Sequence, residues 1–335
     1  MATYYLGMKL GSTTTCIYKS GGGVVLREPS LIAMSTDLKN KDVRAIGLEA
    51  KNMIGKTSDS ISIYSPISGG AVQYKELATL MIKGFLKKLF PVKLVGNNIK
   101  AVLCVPLGLS PAEKKQLEVV CYKAGIADVY IVPDVLAYCY GDGIDIQTNT
   151  ANMIVNIGGD TTNIAIVANN SIISGYSFSV AGNIINVAIS KFVEENYNVK
   201  ITLEQAEKLK DEICSLFDSY SDFMEIEGVN KSTQTIERIV IHSNELNHIV
   251  YHYYSKIADA INAILESSET EVVSDISKNG IYFYGGGAGI IGLDKYMQAK
   301  TNFKVNITDT PRANILGTGE LIKYPQILKK IIRNN

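Results

Sequence analysis

Two stretches of the chain are built to one plan, and that plan restricts the fold more than any other feature. Tyr4 to Leu10 and Thr14 to Lys19 are strand-like runs separated by Gly11-Ser12-Thr13, while residues 152–157 and 162–168 are apolar runs separated by Gly158-Gly159-Asp160-Thr161. Paired runs of this kind around a short turn read as antiparallel hairpins. The turns are richer in backbone amides than a hairpin needs. Glycine admits positive φ and close approach of a ligand to the backbone, so consecutive N–H groups can point into one concavity that receives an anion. Taken alone, Gly-Gly-Asp flanked by threonines is equally an ordinary hairpin turn. Its recurrence at Gly11-Ser12-Thr13-Thr14 makes the pair candidate phosphate clamps.

The segments after the two hairpins are also alike. After the first, a third run (Val24 to Leu26) closes a meander that ends at Arg27-Glu28-Pro29-Ser30, and a small segment reaches about Pro66, with a short helix over Glu49 to Ile54. Leu77, Leu80, Met81, Phe85 and Leu89 then recur at helical spacing from Tyr74 to Phe90, where Pro91 stops the helix. Lys100 to Val105 reads as a buried strand, Ser110-Pro111-Ala112-Glu113 as a helix start, Val129 to Val132 as a strand, and Asp134 to Tyr140 as a helix ending near Gly141. After the second hairpin come a third strand (171–178), helices over Asn183 to Tyr197 and 202–214, and a strand-rich excursion over 215–242. Next are a long helix from Asn244 to about Glu266 and the strand Ile281 to Tyr284; the strand runs into Gly285-Gly286-Gly287-Ala288-Gly289, and a helix covers Ile291 to Gln298. Strands alternating with helices define an α/β protein, and 335 residues suit two domains of roughly 150 residues each.

The balance of 33 Lys+Arg against 33 Asp+Glu gives no electrostatic case for nucleic acid. No run of about 18 apolar residues is present, and Met1-Ala2-Thr3-Tyr4-Tyr5 lacks the basic-then-apolar form of a signal, so a cytoplasmic location is expected. Cys16, Cys104, Cys121, Cys139 and Cys214 are scattered singly and read as reduced core thiols. His248 and His252 are spaced i,i+4, but Ile249 stands where a zinc protease motif has its acid, so a solvated helix face is expected.

The motifs resemble those of the actin and sugar-kinase ATPase fold, and among its members those of the MreB family of bacterial rod-shape actins. Gly7 to Tyr18 resembles the first phosphate motif, Val155 to Asn163 the second, and Tyr282 to Ala288 with Gly292-Leu293-Asp294 the adenosine motif. Val129 to Ala137 and Leu316 to Gly319 resemble the two connecting helices. The resemblance implies two similar lobes, each a mixed sheet flanked by helices, with a nucleotide cleft between them and four subdomains. These are 1–30, 67–145 and 312–335 (IA); 31–66 (IB); 146–180 and 243–311 (IIA); and 181–242 (IIB). It implies that ATP or ADP binds through Gly11, Ser12, Thr13 and Thr14, Gly158, Gly159, Asp160 and Thr161, and Gly285, Gly286, Gly287 and Ala288. Glu207 and Lys210 would border the purine, although at i and i+3 they also suit an exposed surface pair.

Departures from the family pattern qualify the activity. Lys9 stands where the family has its first magnesium-organising aspartate, and an ammonium, which has no lone pair, cannot ligate Mg2+ but can rest against phosphate. Asn156 replaces the second aspartate, and Asn163, Asn183 and Asn186 replace further acids. Asp134 takes the place of the glutamate that positions the attacking water and is a weak candidate metal contact with Asn156. Asp160 adds a negative charge near the expected γ-phosphate. Since phosphoryl transfer depends on positioning and charge neutralisation, weak or absent hydrolysis with nucleotide binding retained is expected, and a role for Mg2+ is doubtful.

The resemblance further implies self-assembly into cytoskeletal filaments that govern cell shape, with other MreB-type actins as partners. Leu89 and Phe90, among Lys87, Lys88 and Lys93, suit either a loop that touches the inner face of the membrane or a helix end tucked into the core. The alternatives are a non-filamentous ATPase of chaperone or sugar-kinase type, and a nucleotide-independent scaffold that co-polymerises with a competent relative.

Overall fold

In the first of two units (residues 1–148, 169–172 and 312–335) the meander strands Thr3–Leu10, Thr14–Lys19 and Gly23–Pro29 pair antiparallel. Asn98–Val105 adds parallel to Thr3–Leu10, and Asp128–Pro133 adds parallel to it in turn, completing five strands. The computed structural model describes residues 3–36, 42–57, 59–90, 98–217, 219–308 and 313–334. Chain reversal explains the mixture: short turns join antiparallel neighbours, whereas parallel neighbours need a crossover long enough for a helix. Here that crossover is Pro111–Ala124. Its start is fixed by a capping box in which the Ser110 hydroxyl accepts from the Glu113 amide and Glu113 accepts from the Ser110 amide at 2.8 Å; Gly125, at φ 108°, ends it.

The second unit (149–168 and 173–311) repeats this order strand for strand: Ser171–Phe178, Thr162–Ala168, Asn152–Ile157, Ile281–Tyr284, Val305–Ile307. Asn152–Ile157 and Thr162–Ala168 are buried at every position, so both faces are covered and the sequence runs apolar without alternation. Asn169–Ile172 falls with the first unit, because the Asn169 and Asn170 amides donate to Thr148 and Ile146 carbonyls at 2.9 and 2.7 Å.

Each unit also carries a small three-stranded sheet. Val43–Ile46, Ile32–Ser35 and Ile61–Tyr64 form one, within the short segment before Pro66; Val199–Lys200, Phe223–Asn230 and Ile236–His242 form the other, within the strand-rich excursion. The helix Lys75–Leu89 buries Ala78, Met81, Ile82, Phe85 and Leu86, a stripe rotated from the one expected, with Leu77, Leu80 and Leu89 at its margin. Thr270–Asn279 is a helix that the sequence pattern does not disclose: Val272, Val273 and Ile276 are its only large apolar residues.

Phe90 bears on the two readings of this helix end. It is 8% exposed and packs at a tilt against Tyr4 with ring centroids 4.8 Å apart, while the Lys19 ammonium lies 5.0 and 5.2 Å from the two ring centres. With Leu89 packed against the same core, both side chains suit the reading of a helix end tucked inward. Residues 91–97, next in the chain, lie outside the described residues. Among the described residues no helix is long and apolar enough to cross a membrane.

Candidate functional site

The two turns are the same object built twice. Gly11 N–H donates to Thr14 O at 3.1 Å, and Gly158 N–H donates to Thr161 O at 2.9 Å. A Cβ on either glycine would stand 2.8 or 2.9 Å from that carbonyl oxygen, too close for any other residue. The residue after each turn, Thr15 or Thr162, is fully buried. Its hydroxyl ties the turn to the chain beyond the third strand, at Ser30 Oγ (2.8 Å) in one unit and Val180 O (2.6 Å) in the other.

In the first unit Ser12 is held from both sides: its hydroxyl accepts from Gly69 N–H at 2.9 Å and its carbonyl from the Ser65 hydroxyl at 3.0 Å. Thr13 is exposed and Thr14 half-buried. Lys9 lies opposite Cys16 on one neighbouring strand and Cys104 on the other. Its ammonium sits 5.9 Å from the centre of the Tyr138 ring. Packing around Lys9 works to lower its pKa. The opposing potential of Tyr138, Cys104 and Asp134 outweighs this and holds the value above the ordinary lysine range. Burial pushes Tyr138 and Cys104 up to about 12, and Lys9 stays an ammonium at neutral pH.

Asp134, 4% exposed, opens the helix Asp134–Asp142 directly after a strand. That helix meets Ala313–Lys323 at backbone distance: a Cβ on Gly141 would lie 1.8 Å from Ala313 O, and one on Gly317 would lie 1.7 Å from Ala137 O. Asn314 Nδ2 then donates to Tyr138 Oη at 3.3 Å, and the Thr318 hydroxyl donates to Asn314 O at 2.7 Å. Sequence motifs do not single out Cys104, Tyr138, Asn314 and Thr318 as site residues. Of these only Tyr138 carries a sequence signal, since it lies one turn after Asp134, whereas Cys104 meets Lys9 through strand register.

In the second unit the turn is pinned to the start of the helix Gly182–Tyr197. Gly182 and Asn183 amides donate to Gly158 and Gly159 carbonyls at 3.0 and 2.8 Å, and Asn183 Nδ2 donates to Asp160 Oδ1 at 2.6 Å. Lys210 joins them: it is 6% exposed, its ammonium donates to Asn186 Oδ1 at 2.9 Å, and it lies 3.5 Å from where a Cβ of Gly182 would be. Glu207 on the same helix is exposed, so the two do not form a surface pair. The helix carrying them, Leu203–Ile213, starts at a Thr202–Gln205 capping box.

Gly285, at φ 87°, ends the strand Ile281–Tyr284; a Cβ there would lie 2.2 Å from Ile157 O and 2.6 Å from Asn156 Oδ1. The glycine-rich turn is thereby laid against the strand that leads into Gly158. The Tyr254 hydroxyl, fully buried in the long helix, donates to Gly287 O at 2.6 Å; its place in an apolar helical stripe hides it from sequence reasoning. Ala288 is buried and Gly286 exposed.

Both units can therefore offer backbone amides and hydroxyls to an anion. Their metal chemistry is poor: Lys9 has no lone pair, Asn156 is neutral, and among the described residues no cluster of three or more His, Cys, Asp or Glu could hold a metal ion.

A five-stranded α/β sheet used twice, each copy with a glycine-hydroxyl turn between its first two strands, is the actin-like ATPase fold. The MreB/Mbl protein family model matches residues 3–330, and the chain belongs to that family. It is 29% identical over 310 residues to the cell shape-determining protein MreB of Escherichia coli K12, covering 91% of this chain and 89% of that one. It is 28% identical over 327 residues to the cell shape-determining protein Mbl of Bacillus subtilis 168, covering 97% of each. MreB5 of Spiroplasma citri has been solved bound to ADP and bound to AMPPNP. The ADP form superposes with a TM-score of 0.89 at 31% identity over 99% of both chains, and the AMPPNP form with 0.88 at 30% over 100% of both.

Proposed function

We propose that this chain is a nucleotide-binding cytoskeletal actin of the cell-shape type, which assembles head to tail into filaments in the cytoplasm and hydrolyses ATP weakly or not at all. The observation that carries the binding is the doubled turn, closed at 3.1 and 2.9 Å by the same backbone bond. Gly11 to Thr14 and Gly158 to Thr161 would hold the phosphates of ATP or ADP, and Gly285 to Ala288, with Lys210, the nucleoside end. The ADP and AMPPNP complexes of MreB5 support this reading. So does the small sheet each unit carries, one within 31–66 and the other within 181–242, as four subdomains require.

Weak hydrolysis follows from the surroundings of Lys9. A bound Mg2+ would supply charge neutralisation on the phosphates, but Lys9, Asn156 and Asn163 do not fit a carboxylate-held ion. Lys9 can instead place a fixed positive charge near a phosphate, while Asp134 shares that cation's field. Backbone amides keep their capacity to bind. A heterologous contact that does not close on itself yields a linear polymer, and sedimentation with ADP, AMPPNP or no nucleotide tests it. Pelleting with nucleotide and phosphate release well below that of E. coli MreB are expected; no pellet under any condition defeats the filament, and turnover equal to that relative's defeats the loss of hydrolysis.

A further inference from the structure

Asp160 is the one charged residue in the two phosphate turns, Gly11 to Thr14 and Gly158 to Thr161. Counted from the glycine that closes each turn, it matches Thr13, an exposed neutral hydroxyl. Its carboxylate is also fixed. Oδ1 accepts from Asn183 Nδ2 at 2.6 Å, and the amides of Gly182 and Asn183 are tied to the carbonyls of Gly158 and Gly159. The turn, the helix start and the carboxylate thus move as one body. The helix Gly182–Tyr197 runs 16 residues, and its N-cap residue, Ala181, makes no side-chain cap bond. The Asp160 carboxylate therefore lies against the positive end of a helix dipole, a position that stabilises a negative charge.

We propose that Asp160 makes this site select a nucleoside diphosphate over a triphosphate, its carboxylate standing at the turn in place of the outermost phosphate. The inference rests on the nucleotide-binding reading above. A triphosphate differs from a diphosphate by a third phosphate with its added charge, which must approach the second turn. Two unit charges about 5 Å apart at an effective dielectric near 20 repel enough to change affinity by roughly three hundredfold, and water and salt reduce this to about tenfold. An inner phosphate stands farther off and is affected less. Because Asn183 and the helix start hold the carboxylate, it cannot swing away without giving up a hydrogen bond.

The test is titration of the full chain with fluorescent ADP and fluorescent AMPPNP, for wild type and for Asp160→Asn, which removes the charge at almost constant shape. Wild type is expected to prefer ADP by about tenfold. Asp160→Asn should tighten AMPPNP by about tenfold while ADP stays within about twofold. A wild type that binds both alike, or a variant that leaves their ratio unchanged, overturns the selectivity while the nucleotide-binding reading stands; a wild type that binds neither overturns both. Should the variant fail to fold, the ADP preference of wild type must still shrink as salt rises, and a salt-independent ratio overturns the inference.

Discussion

Lys9 and Asn156 hold the same place in two copies of one sheet. Each lies two residues before the glycine that closes its turn, on the strand that is central in its sheet, facing Cys16 in one copy and Asn163 in the other. The repeated frame therefore presents a cation once and an amide once, and at neither place a carboxylate.

Substituting Lys9→Asp should make the protein's stability depend on magnesium. The new carboxylate would join Asp134, 4% exposed, with the Lys9 ammonium removed, and an uncompensated buried charge costs about 3 kcal/mol. The thermal midpoint should fall without Mg2+ and recover when it is added, with phosphate release rising about tenfold or more. Wild type should show no such shift. A wild-type midpoint that climbs with Mg2+ as steeply as the variant's would remove Lys9 as the reason for poor metal binding.

Gly317→Ala should damage the first unit more than any ordinary helix substitution. In a helix interior alanine is normally favoured over glycine by about 1 kcal/mol, yet here its Cβ would sit 1.7 Å from Ala137 O. The two helices must part, and a net loss of about 3 kcal/mol or more is expected in urea unfolding. A neutral or stabilising result would mean that they are not in backbone contact.

How much of this is legible in the sequence depends on whether a signal is local. The hairpin turns, the Ser110 capping box and the burial of residues 152–157 arise from neighbours along the chain, and they are readable. Cys104 beside Lys9 and Asn186 beside Lys210 depend on strand register and helix packing, which join residues 95 and 24 positions apart. Composition also conceals function: Tyr254 reads as one more apolar residue of its helix until its hydroxyl meets Gly287 O. The Lys75–Leu89 stripe is rotated because leucine, the most visible apolar residue, lines the margin while Ala78 and Ile82 face the core.

Alkaline pH should unfold the protein earlier than its neutral-pH stability suggests. Burial raises the Cys104, Cys121 and Cys214 thiols from 9.0 to about 12, and the Tyr138 and Tyr140 phenols from 10.0 to about 12. In that window these groups stay protonated when folded and ionise when unfolded, so the unfolded state binds fewer protons and stability falls as pH rises. The loss should begin near pH 9 and reach at most about 1.4 kcal/mol per pH unit for each group. Chemical unfolding between pH 8 and 11 checks it, with a shallower slope for Cys121→Ala; a flat profile across that range would contradict the burial of these groups.

Phe90→Ala separates the two readings of the helix end. A ring 8% exposed and packed at a tilt against Tyr4 at 4.8 Å contributes through packing, and its removal should cost about 3 kcal/mol, the low end for a buried phenylalanine because the site lies at the margin of the core. A bilayer anchor would behave otherwise: truncating it would leave stability intact and weaken association with anionic vesicles. Urea unfolding alongside vesicle co-sedimentation distinguishes the two, and the expected pair of results is lower stability with vesicle association unchanged. The Lys19 ammonium, which faces both rings at 5.0 and 5.2 Å, adds a second check. Lys19→Met keeps the apolar stem and removes the charge, so it should cost no more than about 1 kcal/mol, well short of the loss at Phe90. If Lys19→Met were the more damaging, the cation rather than the packed rings would be holding this end of the helix in place.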